Sequence, residues 1–307
     1  MLNQVPLAHL QVLYGDARAQ EIYPRLEEII SRRQESLSRH GAEAGAYFNE
    51  QDAVLITYGD MVQTPGERPL HTLNEFLSET ISGSLNTIHL LPFFPYSSDD
   101  GFSIIDYKQV DPALGDWPDL SAINDSFQLM FDAVVNHVSS ESSWFQGFLK
   151  SENPYNEYFI VVPEDANLTQ VFRPRALPLV SEVQTADGLK LVWTTFSSDQ
   201  IDLNFANPDV LLAVIDTLLF YVEHGAALIR LDAIAYIWKE LDTTCIHLPQ
   251  THRIIQLMRS VLDVVAPQVI LITETNVPHE DNVSYFGDGF NEAQMVYNFS
   301  LPPLTLH

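Results

Sequence analysis

Ala226-Ala-Leu-Ile-Arg-Leu-Asp-Ala-Ile-Ala235 is an apolar run of strand length that carries two charged side chains, Arg230 and Asp232. Apolar residues at both alternations mark a strand covered on both faces, as in a parallel sheet flanked by helices. Residues two apart on a strand point the same way, so the guanidinium and the carboxylate share one face. An unpaired charge there is costly, and leucines would fill the space without that cost. Two readings stand at this point: a structural ion pair, or one wall of a functional site.

The neighbouring sequence supplies the frame. Upstream, Asn207 reads as a helix cap with Pro208 at the first helical position, residues 210–222 form a mostly apolar helix, and Gly225 ends it. Downstream, a helix over 252–265 leads through Pro267 to a strand over 269–273, with Glu274 at its end. A further strand is expected over 294–299. Nearer the N-terminus, strands are expected over 53–58, 87–91 and 129–135, the last running into Asn136 and His137. A helical pattern with Leu73, Phe76, Leu77 and Ile81 separates the first two. Ile22, Leu26, Ile29, Ile30 and Leu37 predict an amphipathic helix over 18–39, the core of an N-terminal helical extension spanning 1–50. The Pro-, Phe-, Ser- and Asp-rich stretch 92–102 reads as a loop. Over 139–190 periodicity fails for longer than a loop in a compact domain allows, which predicts a small inserted subdomain after the third strand.

Alternating buried strands and helices imply parallel strands joined by right-handed crossovers. Asp60, His137, Asp232 and Glu274 each stand at the carboxyl end of a strand, where a (β/α)8 barrel builds its active site. The expected fold is therefore α/β: a barrel over 51–138 and 191–307, incomplete at about six strands, with the insert at 139–190. An open doubly wound sheet is the alternative. It calls for a Gly-rich phosphate turn after the first strand, which Tyr58-Gly-Asp-Met-Val62 does not supply.

Composition narrows the partners. Against 15 Lys and Arg stand 41 Asp and Glu, a formal charge of -26 over 307 residues. That field repels nucleic acid and anionic membranes, so neither is an expected partner. It suits either a salt-adapted protein or an acidic enzyme of ordinary surroundings. Cys245 is the single cysteine, which leaves no intrachain disulfide, and no apolar run reaches membrane-spanning length. A cytoplasmic protein is expected, and no cofactor or metal is; no carboxylate cluster has the spacing of a dedicated calcium site.

Two carboxylates on neighbouring strand ends are what a retaining glycosidase mechanism requires. Asp232 would attack the anomeric carbon, and Glu274 would protonate the leaving oxygen and later deprotonate the acceptor, with roughly 5 Å between them. Arg230 would hold Asp232 ionised at neutral pH, since an adjacent cation lowers a carboxylate pKa.

Ile229-Arg-Leu-Asp232 resembles the nucleophile strand of glycoside hydrolase family 13, the α-amylase family, and Asp132-Ala-Val-Val-Asn-His137 resembles its first conserved region. Leu91-Pro-Phe-Phe-Pro95, Asp99-Asp-Gly-Phe102, Phe172-Arg-Pro-Arg175 and Leu191-Val-Trp-Thr-Thr-Phe196 with Gln200 resemble the sucrose phosphorylase subfamily. The resemblance runs from Val54 onward. It implies Asp232 as nucleophile and Glu274 as acid/base. It gives Arg230, His137, Gln200 and Tyr236 to the glucosyl site, Asp99 to its distal hydroxyls, and Phe102 and Phe196 to its apolar platform. Arg173 and Arg175 are implied at inorganic phosphate, the acceptor that yields α-glucose 1-phosphate.

Glu274-Thr-Asn-Val-Pro-His279 departs from sucrose phosphorylase, which carries a histidine where Asn276 stands. With Ser284-Tyr-Phe-Gly287 and the helical extension, this run is more similar to the branch of glucosylglycerate and sucrose 6-phosphate phosphorylases. The family's third acidic residue, in a His-Asp pair after strand seven, has no counterpart before His307, so the chain resembles a truncated copy. The expected function is phosphorolysis of a small α-glucoside of the glucosylglycerate or sucrose type. Hydrolysis by the same carboxylates, or sugar binding without turnover, are the alternatives.

Overall fold

The computed structural model describes residues 4–37 and 48–306. The chain opens with two helices, α1 (Val5–Tyr14) and α2 (Asp16–Leu37). They are separate because Gly15, at φ +79°, turns the chain between them. The single helix expected over 18–39 thus starts earlier, has a partner before it, and is described only to Leu37. Ile22, Leu26, Ile30 and Leu37 are its buried stripe, as their spacing requires.

The sheet begins with β1 (Val54–Thr57), followed by α3 (Pro69–Thr80) and β2 (Thr87–Leu90). Next come α4 (Trp117–Asn124), which composition had not revealed, and β3 (Gln128–Ala133). Asp116 and Asp119 close a reciprocal capping box at the start of α4. Between β3 and the next sheet strand lie β4 (His137–Ser139), α5 (Ser143–Leu149), the hairpin β5 (Val180–Thr185) and β6 (Gly188–Trp193), and β7 (Gln200–Asp202). β4 and β7 pair antiparallel, which brings His137 opposite Asp202 and Ser139 opposite Gln200.

The chain then returns through α6 (Pro208–Glu223) to β8 (Ala226–Leu231). The Asn207 side chain accepts from the Asp209 amide at 3.0 Å, as the cap expectation requires. Gly225 has φ +96°, and a Cβ there would lie 2.6 Å from Asn124 Nδ2, so the turn into β8 admits only glycine. α7 (Pro249–Val265), β9 (Ile270–Thr273), α8 (His279–Val283), β10 (Met295–Val296) and α9 (Leu301–Leu306) complete the order. The sixth strand, expected over 294–299, is only the two residues of β10.

Strands β1, β2, β3, β8, β9 and β10 form one parallel sheet in that order. Strand order never reverses, so the sheet has no topological switch point and is not doubly wound. Among the described residues it is an incomplete barrel sheet of six strands. Alternation divides its faces: Leu129, Phe131, Ile229, Leu231 and Leu271 join the helices in the main core, whereas Met130, Leu228, Ile270 and Ile272 pack together on the other, inner face. Two residues further along each inner row stand Asp132, Arg230 and Glu274. Among the described residues, no helix is long and apolar enough to cross a membrane.

Candidate active site

The inner-face rows become charged at the carboxyl end of the sheet. Asp132 lies opposite Arg230 in the register of β3 and β8. Arg230 Nη1 donates to Asp132 Oδ1 at 2.5 Å and to Asp232 Oδ1 at 2.9 Å. On the far side of Asp132, His89 Nε2 donates to Oδ2 at 2.9 Å. The guanidinium carbon is 5.5 Å from the Phe102 ring centre and 5.3 Å from that of Tyr297, distances that suit cation–π attraction. Asp132, His89 and Tyr297 were not among the residues expected in the site. The first two carry the same signal as Arg230 and Asp232, a polar side chain inside an apolar strand run.

Glu274 follows β9 by one residue, and its Oε2 accepts from the Ala233 amide at 3.1 Å. Its own amide donates to Leu231 O at 3.1 Å, which fixes the strand end beside Asp232. Ala233 has φ +49°, so the chain turns sharply after Asp232 into the short helical turn that carries Tyr236. Asp232 is 8% exposed and Glu274 is half-buried. Burial pushes the Asp232 carboxyl up to about 7; the Glu274 and Asp132 charges add to this, and Arg230 opposes it. Arg230 lowers the Asp232 pKa, as expected of an adjacent cation, but desolvation and two neighbouring carboxylates outweigh it, so the net shift is upward.

A second group forms around the loop after β2. Gln200 Nε2 donates to Asp99 Oδ2 at 2.9 Å and to Phe102 O at 3.0 Å. His137 Nε2 also donates to Phe102 O, at 2.8 Å, while the Asn136 amide donates to His137 Nδ1 at 3.2 Å. Burial lowers the His137 pKa, which suits the neutral imidazole that these two bonds require. Phe196 lies 5.3 Å from His137 and 5.5 Å, edge-on, from Tyr236. The fold thus brings Asp99, Phe102, His137, Phe196, Gln200 and Tyr236 into one connected group, and Phe102 links it to Arg230.

The two arginines stand differently. Arg175 Nη2 donates to Asp99 Oδ2 at 3.2 Å, with its guanidinium 5.7 Å from the Phe196 ring. Arg173 donates to Leu177 O at 2.6 Å and is exposed. Behind the site, the buried Lys239 ammonium pairs with Asp202 and donates to Asn136 Oδ1 at 2.7 Å and to Tyr236 O. Among the described residues one group places three ligating atoms within 4.8 Å of one another: Glu67, His71 and Glu75, all exposed.

Comparison with known proteins bears on what this arrangement belongs to. The chain is 55% identical over 306 residues to glucosylglycerate phosphorylase of Allomeiothermus silvanus, covering 100% of this chain and 54% of that protein. It is 47% identical to glucosylglycerate phosphorylase of Escherichia coli, with 92% and 51% coverage, and 31% identical to sucrose phosphorylase of Streptococcus mutans, with 83% and 53%. The crystal structure of sucrose 6F-phosphate phosphorylase from Thermoanaerobacter thermosaccharolyticum superposes with a TM-score of 0.73 at 28% identity, over 84% of this chain and 54% of that one. The chain spans about half the length of the curated relatives it matches. Residues 83–306 match the model of the alpha amylase catalytic domain, and with parallel strands whose ends carry Asp232 and Glu274, the chain belongs to the α-amylase family.

Proposed function

We propose that this chain transfers a glucosyl unit from a small α-glucoside, glucosylglycerate in preference to sucrose, to inorganic phosphate. The observation that carries the reading is the inner-face row Arg230–Asp232 beside Glu274, with Glu274 held by the Ala233 amide. Asp232 attacks the anomeric carbon as Glu274 gives its proton to the departing oxygen, leaving a covalent glucosyl–Asp232 intermediate. A phosphate oxygen then attacks the same carbon from the vacated side, any proton it carries passes to Glu274, and α-glucose 1-phosphate departs with Asp232 freed. In this reading Asp99 and Gln200 hold the distal hydroxyls, Phe102, Phe196 and Tyr236 cover the ring, and His137 and Arg230 support it. Arg173 and Arg175 meet phosphate. Residues 1–50 form the extension, 51–138 and 191–307 the barrel, and 139–190 the insert, in a cytoplasmic enzyme. Support for phosphorolysis comes from the 55% identity to a glucosylglycerate phosphorylase over the whole chain.

Hydrolysis is the second reading, and a specific observation favours it: Arg175 is paired with the Asp99 carboxylate and Arg173 with a backbone carbonyl, so neither guanidinium contacts Asp232 or Glu274. Product analysis separates the two. Glucosylglycerate, sucrose and sucrose 6-phosphate are each incubated with the protein, with and without phosphate. Phosphate-dependent glucose 1-phosphate, greatest from glucosylglycerate, is the expected result. Free glucose without phosphate would establish the hydrolase, and no turnover with retained glucose binding would leave a sugar-binding protein.

A further inference from the structure

The loop between β2 and α4 bears Asp99 and Phe102, yet its conformation is unfavourable for its own residues. Asp99, Asp100 and Gly101 have φ of +55°, +51° and +104° in succession, and two of the three are not glycine. Something outside the loop must hold it. Asp199, the residue before Gln200, does so with one carboxylate. Its Oδ2 accepts from Ser97 Oγ at 2.6 Å, Ser98 Oγ at 2.5 Å and Ser103 Oγ at 2.9 Å, and its Oδ1 accepts from Ser140 Oγ at 2.5 Å. The Ser97 and Ser98 hydroxyls precede the strained run and Ser103 follows it, while Ser140 belongs to the segment after β4. A backbone bond reinforces the arrangement: the Ser140 amide donates to Asp199 O at 3.0 Å.

We infer that Asp199 is a positioning residue: its carboxylate clamps the Ser97–Ser103 loop against the β4–β7 pair, and so sets Asp99 and Phe102 in place to recognise the glucosyl ring. The inference rests on the function proposed above, in which Asp99 meets the distal hydroxyls. A single carboxylate suits this task because its lone pairs can accept from several hydroxyls at once, whereas an amide offers one acceptor oxygen and an NH2 that repels donors. The four serine bonds hold the Asp199 carboxyl below the usual range despite its partial burial, so the clamp is ionised throughout the neutral range. Gln200, next in sequence, contacts Asp99 and Phe102 directly, which couples the clamp to the ring site through one residue.

The test uses the 307-residue chain, its Asp199→Asn variant, and the milder Ser98→Ala and Ser140→Ala variants, which each remove one donor. Hydrogen exchange is followed by mass spectrometry. The amides of Phe102 and Ile105, bonded to Asp99 O and Pro95 O, should exchange at least about tenfold faster in Asp199→Asn, with β8 and β9 unchanged. Each serine variant should show a smaller increase that disappears when combined with Asp199→Asn. The second readout is selectivity between α-glucosyl fluoride and its C4 epimer, α-galactosyl fluoride, with phosphate present. Loss of loop position should lower the preference for glucosyl by about tenfold or more, whereas a general structural defect would lower both rates together. Unchanged exchange in the loop, or a faster loop with an unchanged glucosyl preference, would overturn the inference. A wild-type chain that turns over neither fluoride would defeat the proposed function instead, and the exchange result would still decide the clamp.

Discussion

Asp232 stands where its surroundings disfavour its charge. Buried beside Asp132 and Glu274, its carboxyl is raised from 3.8 to about 7, although Arg230 is bonded to it. A nucleophile must be ionised, so kcat/KM in the proposed reaction should fall as pH drops below about 7, which a pH–rate profile of the free enzyme checks. The sign for stability runs the other way. A carboxyl raised in the folded state contributes stability that is full below the unfolded value and is lost as pH rises through about 7. Asp232→Asn removes that burden. It should abolish turnover, by roughly a thousandfold or more, while raising thermal stability at pH 8. The gain should shrink by about 2–3 kcal/mol on going to pH 5, a difference that denaturant unfolding at the two pH values would measure. Arg230 stays paired with Asp132 in the variant, so no unpartnered buried cation offsets the gain. A variant that retained ordinary activity would remove Asp232 from its role.

At the scale of elements, the strand ends set where side chains stand and the loops set how they are held. The inner rows of β3, β8 and β9 run from an apolar base of Met130, Leu228, Ile270 and Ile272 to Asp132, Arg230 and Glu274, simply because side chains alternate. The loop after β2 lacks that regularity. Each residue held at an unfavourable φ costs about 1–3 kcal/mol, so the loop persists only while its neighbours hold it. Gly101 has the most extreme φ of the three and no room beside it: a Cβ would lie 2.9 Å from Pro92 O. Gly101→Ala should therefore destabilise the protein by about 1–3 kcal/mol, read from urea unfolding. Because Asp99 and Phe102 lie within two residues of it, the variant should weaken glucose binding as well. An alanine variant with wild-type stability would show that the turn relaxes without consequence.

At the largest scale, the six-strand sheet of the described residues is open at β1. Among the described residues β1 pairs on one side only, with β2, and its inner-face residues Val54 and Ile56 are 39% and 52% exposed. An exposed parallel edge with apolar side chains is a template for further pairing. Ile56→Lys should reduce concentration-dependent self-association, measured by analytical ultracentrifugation. It should leave folding stability within about 0.5 kcal/mol, since the side chain is more than half in solvent. Unchanged association would mean that the edge is not where copies meet. The charge of -26 acts in the same direction as that lysine only at long range, since the added charge works locally at the edge.

Legibility differed among these levels for physical reasons. Strands β1, β2, β3, β8 and β9 and helices α3, α6 and α7 were readable because buried elements need apolar residues at fixed spacing, and Asn207, Pro208 and Gly225 mark their ends by local backbone chemistry. Arg230, Asp232 and Glu274 stood out because charge is costly inside such runs. α1 and α4 escaped notice: α1 carries apolar residues without a clear stripe, and α4 is only eight residues long. What the sequence by itself determined about this protein was the order of the sheet strands, the helices α3, α6 and α7 between them, and the carboxylates at strand ends. Tertiary structure alone decided that burial outweighs Arg230 at Asp232, that Arg175 meets Asp99, and that Asp199 gathers serines from 97, 98, 103 and 140. Periodicity records which face a residue takes within its own element. Desolvation and hydrogen bonds depend on what other segments bring to it, and those segments lie as far as 102 residues away in the chain.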